Sequence, residues 1–145
     1  MSDELNGKPP RSFYIIGVAA LVWNLIGLMQ YVMRVTMTDA AIAALPVAQQ
    51  TFISETPAWA LSAFAIATNA GALGCVLLLM RKAWAYPLFI VSLLAVVVQN
   101  VHGFLLADGL AAFGGVGALL TAIVVAVGAV LIWYSNGAKE KGWLS

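Results

Sequence analysis

The chain has 145 residues, 63% of them hydrophobic and only 9% charged, where a soluble domain carries roughly a quarter charged residues. That balance excludes an ordinary soluble globular domain and points to a chain built for lipid. Seven Lys and Arg against six Asp and Glu leave a net charge of +1, so nothing calls for nucleic acid or a strongly anionic partner.

Lys8 and Arg11 precede the first apolar run. The run outlasts a signal-peptide core and lacks a small-x-small cleavage site, so it reads as a retained span and residues 1–11 as a tail. Marking every charged residue leaves four long charge-free runs, Ser12 to Met33, Thr56 to Met80, Ala83 to Ala107 and Gly109 to Ala138. Each exceeds the roughly 20 residues that a helix needs to cross a bilayer. The expected fold is all-α: a single four-helix transmembrane domain over 12–135, with helices near 12–35, 57–80, 83–106 and 115–135 and a second tail over 136–145.

Between the first two spans, the stretch from Met37 to Thr56 is long for a structureless loop. Asp39 can cap a short helix from Ala40 to Leu45, and Pro46 can open another that reaches Ile53. Ile42, Leu45, Phe52 and Ile53 would then lie on the bilayer or on the helix ends, as a shield over the bundle mouth or as a moving lid over a site. Pro57 and Pro87 each suit the first turn of a span, where a missing N–H is tolerated. Arg81 and Lys82 are left as almost the whole connection of a tight antiparallel hairpin. The Gly-rich loop after Asp108 turns the chain, and Gly137 suits a C-cap beyond the last span.

If the runs are helices, Lys8, Arg11, Arg81, Lys82, Lys139 and Lys141 fall on one side and Arg34 alone on the other. The positive-inside rule then places both termini in the cytoplasm. The expected location is a bacterial inner membrane, multi-pass, with the Met37 to Thr56 segment outside. Phe13, Tyr14, Trp84, Tyr86, Trp133 and Tyr134 near one set of helix ends, with Tyr31, Trp59 and Phe104 near the other, suit the interfacial preference of aromatic rings.

Helix association in lipid relies on close packing of small residues and a few interhelical hydrogen bonds. Ala63, Ala67 and Gly71, with Ala70 and Gly74 beside them, and Ala118, Ala122 and Ala126 form ladders expected at helix contacts. Polar residues within spans are either structural glue or site residues. Asn24 and Asn69 fall at a similar mid-membrane depth, placed to bond each other or to face a substrate. Gln30, Arg34, Gln99, Asn100, His102 and Thr121 share a depth nearer the outer side. They either line a polar vestibule beneath the Met37 to Thr56 segment or meet headgroups and water, with Arg34 snorkelling. His102 is the only histidine; a bis-histidine haem would need a second one from another chain, and no cofactor is expected. Cys75 reads as inert packing, with no intramolecular disulfide open to it.

No Asp, Glu or Lys lies within a span, which disfavours a proton-coupled carrier built on a buried carboxylate. No catalytic triad, metal-ligand cluster or phosphate loop stands in a suitable context, so an enzyme is not expected.

Trp23-Asn24-Leu25-Ile26-Gly27, Thr56-Pro57-Ala58-Trp59, Arg81-Lys82-Ala83-Trp84-Ala85 and Lys141-Gly142-Trp143-Leu144 give the chain a familiar cast. It resembles a family of small bacterial four-span inner-membrane proteins of unestablished function, many of which carry a loose "sugar transporter" label. The absent Pro-Gln pair separates it from bacterial half-size sugar transporters, and the acid-free first span from small multidrug-resistance transporters. Two functions are expected. The first is an accessory or stabilising subunit packed against a larger membrane complex; the alternative is a transporter of a small neutral, sugar-like solute acting as an oligomer.

Overall fold

The computed structural model describes residues 8–145, which fold entirely as helices and turns. Residues 1–7 of the expected tail lie outside the described residues. Helix α1 is Arg11–Val35, α2 Asp39–Ala43, α3 Val47–Glu55, α4 Ala58–Leu79, α5 Ala85–Asn100 and α6 Gly109–Glu140, with a π-helical turn Val101–Leu106 continuing α5. Counting α5 with its π turn, four helices among the described residues are long and apolar enough to cross a membrane.

Local chemistry sets most boundaries. Thr38, rather than Asp39, caps α2, its hydroxyl accepting from Ala41 N at 3.1 Å, because Asp39 already lies within the first turn. Pro46 and Pro57 precede the first residues of α3 and α4, where a missing N–H leaves no bond unmade. Gln50 ties the two short helices together by donating to the carbonyls of Ala43 and Leu45. The last long helix is longer than the sequence indicated and broken near its start. Asp108 caps a first turn from Gly109, the backbone leaves helical geometry at Gly114 (φ 70°, ψ −167°), and the run resumes to Glu140. Gly137 is therefore inside the helix. The actual stop is Gly142, at φ 78°, where Gly142 N bonds Lys139 O and Trp143 N bonds Ala138 O, the paired bonds of a Schellman cap.

That cap returns the chain to the α4–α5 hairpin. Arg81, left-handed at φ 60°, ends α4 in the same way, with Arg81 N to Leu78 O and Lys82 N to Leu77 O. Ser145 N then bonds Arg81 O, Ala83 N bonds Ser145 O, and Arg81 Nε donates to Trp143 O at 2.9 Å. Trp143 lands on Phe13, ring centroids 5.8 Å apart. Phe13, Cys75, Leu78, Phe89, Leu131 and Trp143 belong to one buried cluster, so the end of the bundle that holds the start of α1, the hairpin and residues 143–145 is closed. It is called the hairpin end below.

Packing runs in sequence, α1 on α4, α4 on α5 and α5 on α6, whereas α1 and α6 share no extended backbone packing among the described residues. Ala63, Ala67, Ala70, Gly71 and Gly74 are buried along α4. Gly74 lets the helices approach because Phe89 of α5 lies against it. The α6 ladder faces elsewhere. Ala122 and Ala126 are exposed and Ala118 only half-buried. Contact with α5 instead runs through Val124 and Val125 and through Gly128 beneath Leu93. Ala122 and Ala126 each lie two residues, hence about 200° of rotation, from Val124 and on the opposite side of the helix.

Candidate functional site

Because α1 and α6 do not pack along each other above the closed hairpin end, the bundle holds space among its helices. An inner chamber of about 430 Å³ lies among α1, α4, α5 and α6. An adjoining chamber of about 410 Å³ lies between the helix ends and the α2–α3 segment. Gln30, Phe64, Gln99, Leu120 and Thr121 line both, and so form a collar where one chamber passes into the other. Trp23, Ile26 and Leu120 line the inner chamber while remaining 37%, 48% and 54% exposed. The chamber is thus open sideways, between α1 and α6.

The inner chamber is mostly apolar, with Phe64, Phe89, Val96, Val124 and Leu131 among its walls. Its amide groups are anchored. Asn24 Nδ2 donates to Ala20 O at 2.8 Å and to Cys75 Sγ at 3.3 Å. Asn100 Nδ2 donates to Val96 O, and Asn100 Oδ1 accepts from the Thr121 hydroxyl at 3.4 Å, which joins α5 to α6. Ser92 donates to Ala67 O at 2.7 Å and joins α5 to α4. The collar glutamines differ. Among the described residues neither the Gln30 nor the Gln99 side chain hydrogen-bonds the protein, so each amide keeps its full donor and acceptor capacity for whatever enters.

The α3 helix lies across the second chamber, with Gln49, Phe52 and Ile53 in its lining. Arg34 reaches across from α1 to donate to Ile53 O at 3.2 Å. Phe52 packs edge-on against Phe113 at 5.0 Å and against His102 at 5.9 Å, and Trp59 meets the other side of His102 at 5.5 Å. His102 is buried at 6% exposure, not hydrated at a helix end as a lone interfacial histidine would be. The π turn accounts for this: Ala107 N bonds His102 O five residues back, and the extra residue rotates His102 between two aromatic rings. Its imidazole also lines the chamber.

Gln30, Arg34, Gln99, His102 and Thr121 thus share the chamber beneath the α2–α3 segment, while Asn24 and Asn100 line the inner one. Asn24 and Asn69 do not meet. Asn69 is exposed on the outward side of α4, its amide donating to Ala65 O of its own helix at 2.8 Å. Phe64 and Leu120 of the collar and Ser92 all lie outside the residues singled out from sequence. Of these only Ser92, a hydroxyl within a span, carried a signal that could have marked it. No family model, curated protein or solved structure matches this chain.

Proposed function

We propose that this is a non-catalytic, four-span protein of a bacterial inner membrane, both termini cytoplasmic, that binds a small uncharged amphiphile and passes it between membrane and outer face. The observation that carries this reading is the pair of collar glutamines, two amides without hydrogen-bond partners among the described residues, at the junction of two chambers. Their combined size falls within the range of small-molecule sites, which are typically apolar with a few placed polar groups.

The lining sets the ligand class. Apolar walls accept a hydrocarbon or ring body, and the glutamines with Thr121 offer hydrogen bonds to one polar head. A sugar, with hydroxyls on every side, would leave most of them unpaired against Phe64, Phe89 and Leu131, each at a cost of a lost hydrogen bond. Among the described residues Arg34 is the one charged residue that lines either chamber and it already donates to a backbone carbonyl, so a neutral head is favoured. The lateral opening between α1 and α6 admits a molecule already dissolved in lipid, and the packed hairpin end holds this conformation closed toward the cytoplasm. These features favour solute binding over the accessory-subunit expectation.

The test is ligand binding in lipid nanodiscs by native mass spectrometry, comparing neutral single-headed amphiphiles, free sugars and long-chain carboxylates. Neutral amphiphiles should bind in preference, and Gln99→Leu should weaken them about tenfold, the value of one hydrogen bond. Equal retention of all three classes by the native protein and by Gln99→Leu would remove this reading.

A further inference from the structure

The α4 helix carries a second polar feature that faces away from both chambers. Beyond its first residue Ala58, the exposed positions of α4 are Trp59, Ser62, Ile66, Asn69, Leu73 and Val76, spaced alternately three and four residues apart. A 3.5-residue repeat is the seam of a left-handed helix pair. It forms here because α1 covers one flank of α4 and α5 the other, which leaves one narrow stripe of about 25 Å, nearly a full hydrocarbon thickness.

Asn69 stands at its centre, twelfth of the 22 residues of α4. Among the described residues its one hydrogen bond is to Ala65 O, made by the amide nitrogen, so the side-chain oxygen and one N–H point out of the bundle at mid-membrane depth. Ser62, two turns away on the same face, is also exposed. The outward faces of the other spans are different. Between their terminal turns, the exposed positions that line neither chamber are apolar or glycine, as with Val22 and Met29 on α1, Val91 and Leu94 on α5, and Leu119 and Ile123 on α6. An amide facing hydrocarbon is costly unless it is met by another polar group.

We propose that the stripe is the contact between two copies of this chain, packed as parallel α4 helices about a two-fold axis with Asn69 facing Asn69. An amide is donor and acceptor at once, so it is its own complement across such an axis. Two copies inserted with one topology bring each stripe residue opposite itself, at matched depth. A single central Asn in an apolar 3.5-residue seam is also the device that fixes register and partner number in helix pairs. The contact lies on the far side of α4 from the chambers and does not depend on what they bind.

The test uses the full-length protein in native-like bilayers. Ile66→Cys and Leu73→Cys place thiols on the stripe, and Leu94→Cys and Ile15→Cys place them on exposed positions of α5 and α1; Cys75 is fully buried and serves as an internal blank. Mild oxidation should cross-link the two stripe variants to dimers and leave the other two monomeric. Asn69→Leu should lower the dimer association constant about tenfold while the fold survives, because Asn69 contacts no other helix through a hydrogen bond. Equal cross-linking at Leu94 and Ile66, a monomer at all densities, an unchanged association constant in Asn69→Leu, or capture of a different protein in place of the second copy would overturn the assignment.

Discussion

The side-chain oxygen of Asn24 occupies the space that a β-carbon on Gly71 would fill, so α1 closes on α4 with a polar atom against bare backbone. Ser92 of α5 reaches the same spot, its hydroxyl 3.2 Å from that position. Three helices therefore converge on one missing side chain. Asn24 has no room to retreat while its amide holds Ala20 O and Cys75 Sγ.

Gly71→Ala is expected to lower stability by about 1–3 kcal/mol, the range for overpacking, even though alanine gains up to about 1 kcal/mol in helix propensity. Asn24→Ala alone removes one interhelical contact and costs on the order of 1 kcal/mol. The double variant should be more stable than the sum of the singles implies, because each change relieves the other. Melting temperatures of the four proteins in one detergent measure this. Simple additivity would place Asn24 elsewhere.

Two other glycines should behave oppositely. Gly114 sits at φ 70°, ψ −167°, a region that side chains strongly disfavour, and Gly114→Ala should cost about 1–3 kcal/mol. A β-carbon on Gly137 meets nothing within 4 Å, and this residue lies in a helix interior, so Gly137→Ala should stabilise by up to about 1 kcal/mol. The same thermal melts report both, and a loss of stability in Gly137→Ala would argue against a helix continuing to Glu140.

Trp143 combines a buried ring with a buried indole N–H that has no hydrogen-bond partner among the described residues. Trp143→Phe should leave stability unchanged or raise it by about 1 kcal/mol, because the desolvation of an unpaired donor disappears with it. Trp143→Ala should cost on the order of 3 kcal/mol by opening a cavity beside Phe13. A larger loss in the phenylalanine variant than in the alanine variant would contradict this packing.

Charge-free runs and prolines were enough to place four long helices, because both are written into single positions and need no neighbours. Side-chain direction was not so written. The Ala118, Ala122 and Ala126 ladder shows that spacing finds a stripe and says nothing about which way it faces; bulkier Val124 and Val125 took the contact. Asn24 and Asn69 share a depth, yet a helix places residues by rotation as well as rise, and Asn69 turned outward. His102 was named among the vestibule residues, but its burial between two aromatic rings rests on a backbone event, a π turn that no residue pattern announces. The vestibule residues Gln30, Arg34, Gln99 and Thr121 were recognisable as a group because all fall at a similar depth toward one end of the spans. Three of them, Gln30, Gln99 and Thr121, line both chambers, and that junction is completed by Phe64 and Leu120, ordinary apolar residues in the sequence.

The most direct test of the collar as a ligand site is thiol labelling at its centre. Gln99→Cys, in a protein whose one native cysteine is buried, should react in intact membranes with a small water-soluble maleimide added from the α2–α3 side, while Asn69→Cys, facing out at mid-membrane, should not. A neutral amphiphile that binds the native protein should slow labelling at Gln99→Cys by about tenfold when present at ten times its dissociation constant for that variant, as expected for competition at one site. A Gln99→Cys thiol that stays unreactive, or that reacts at the same rate with and without a bound amphiphile, would contradict the account.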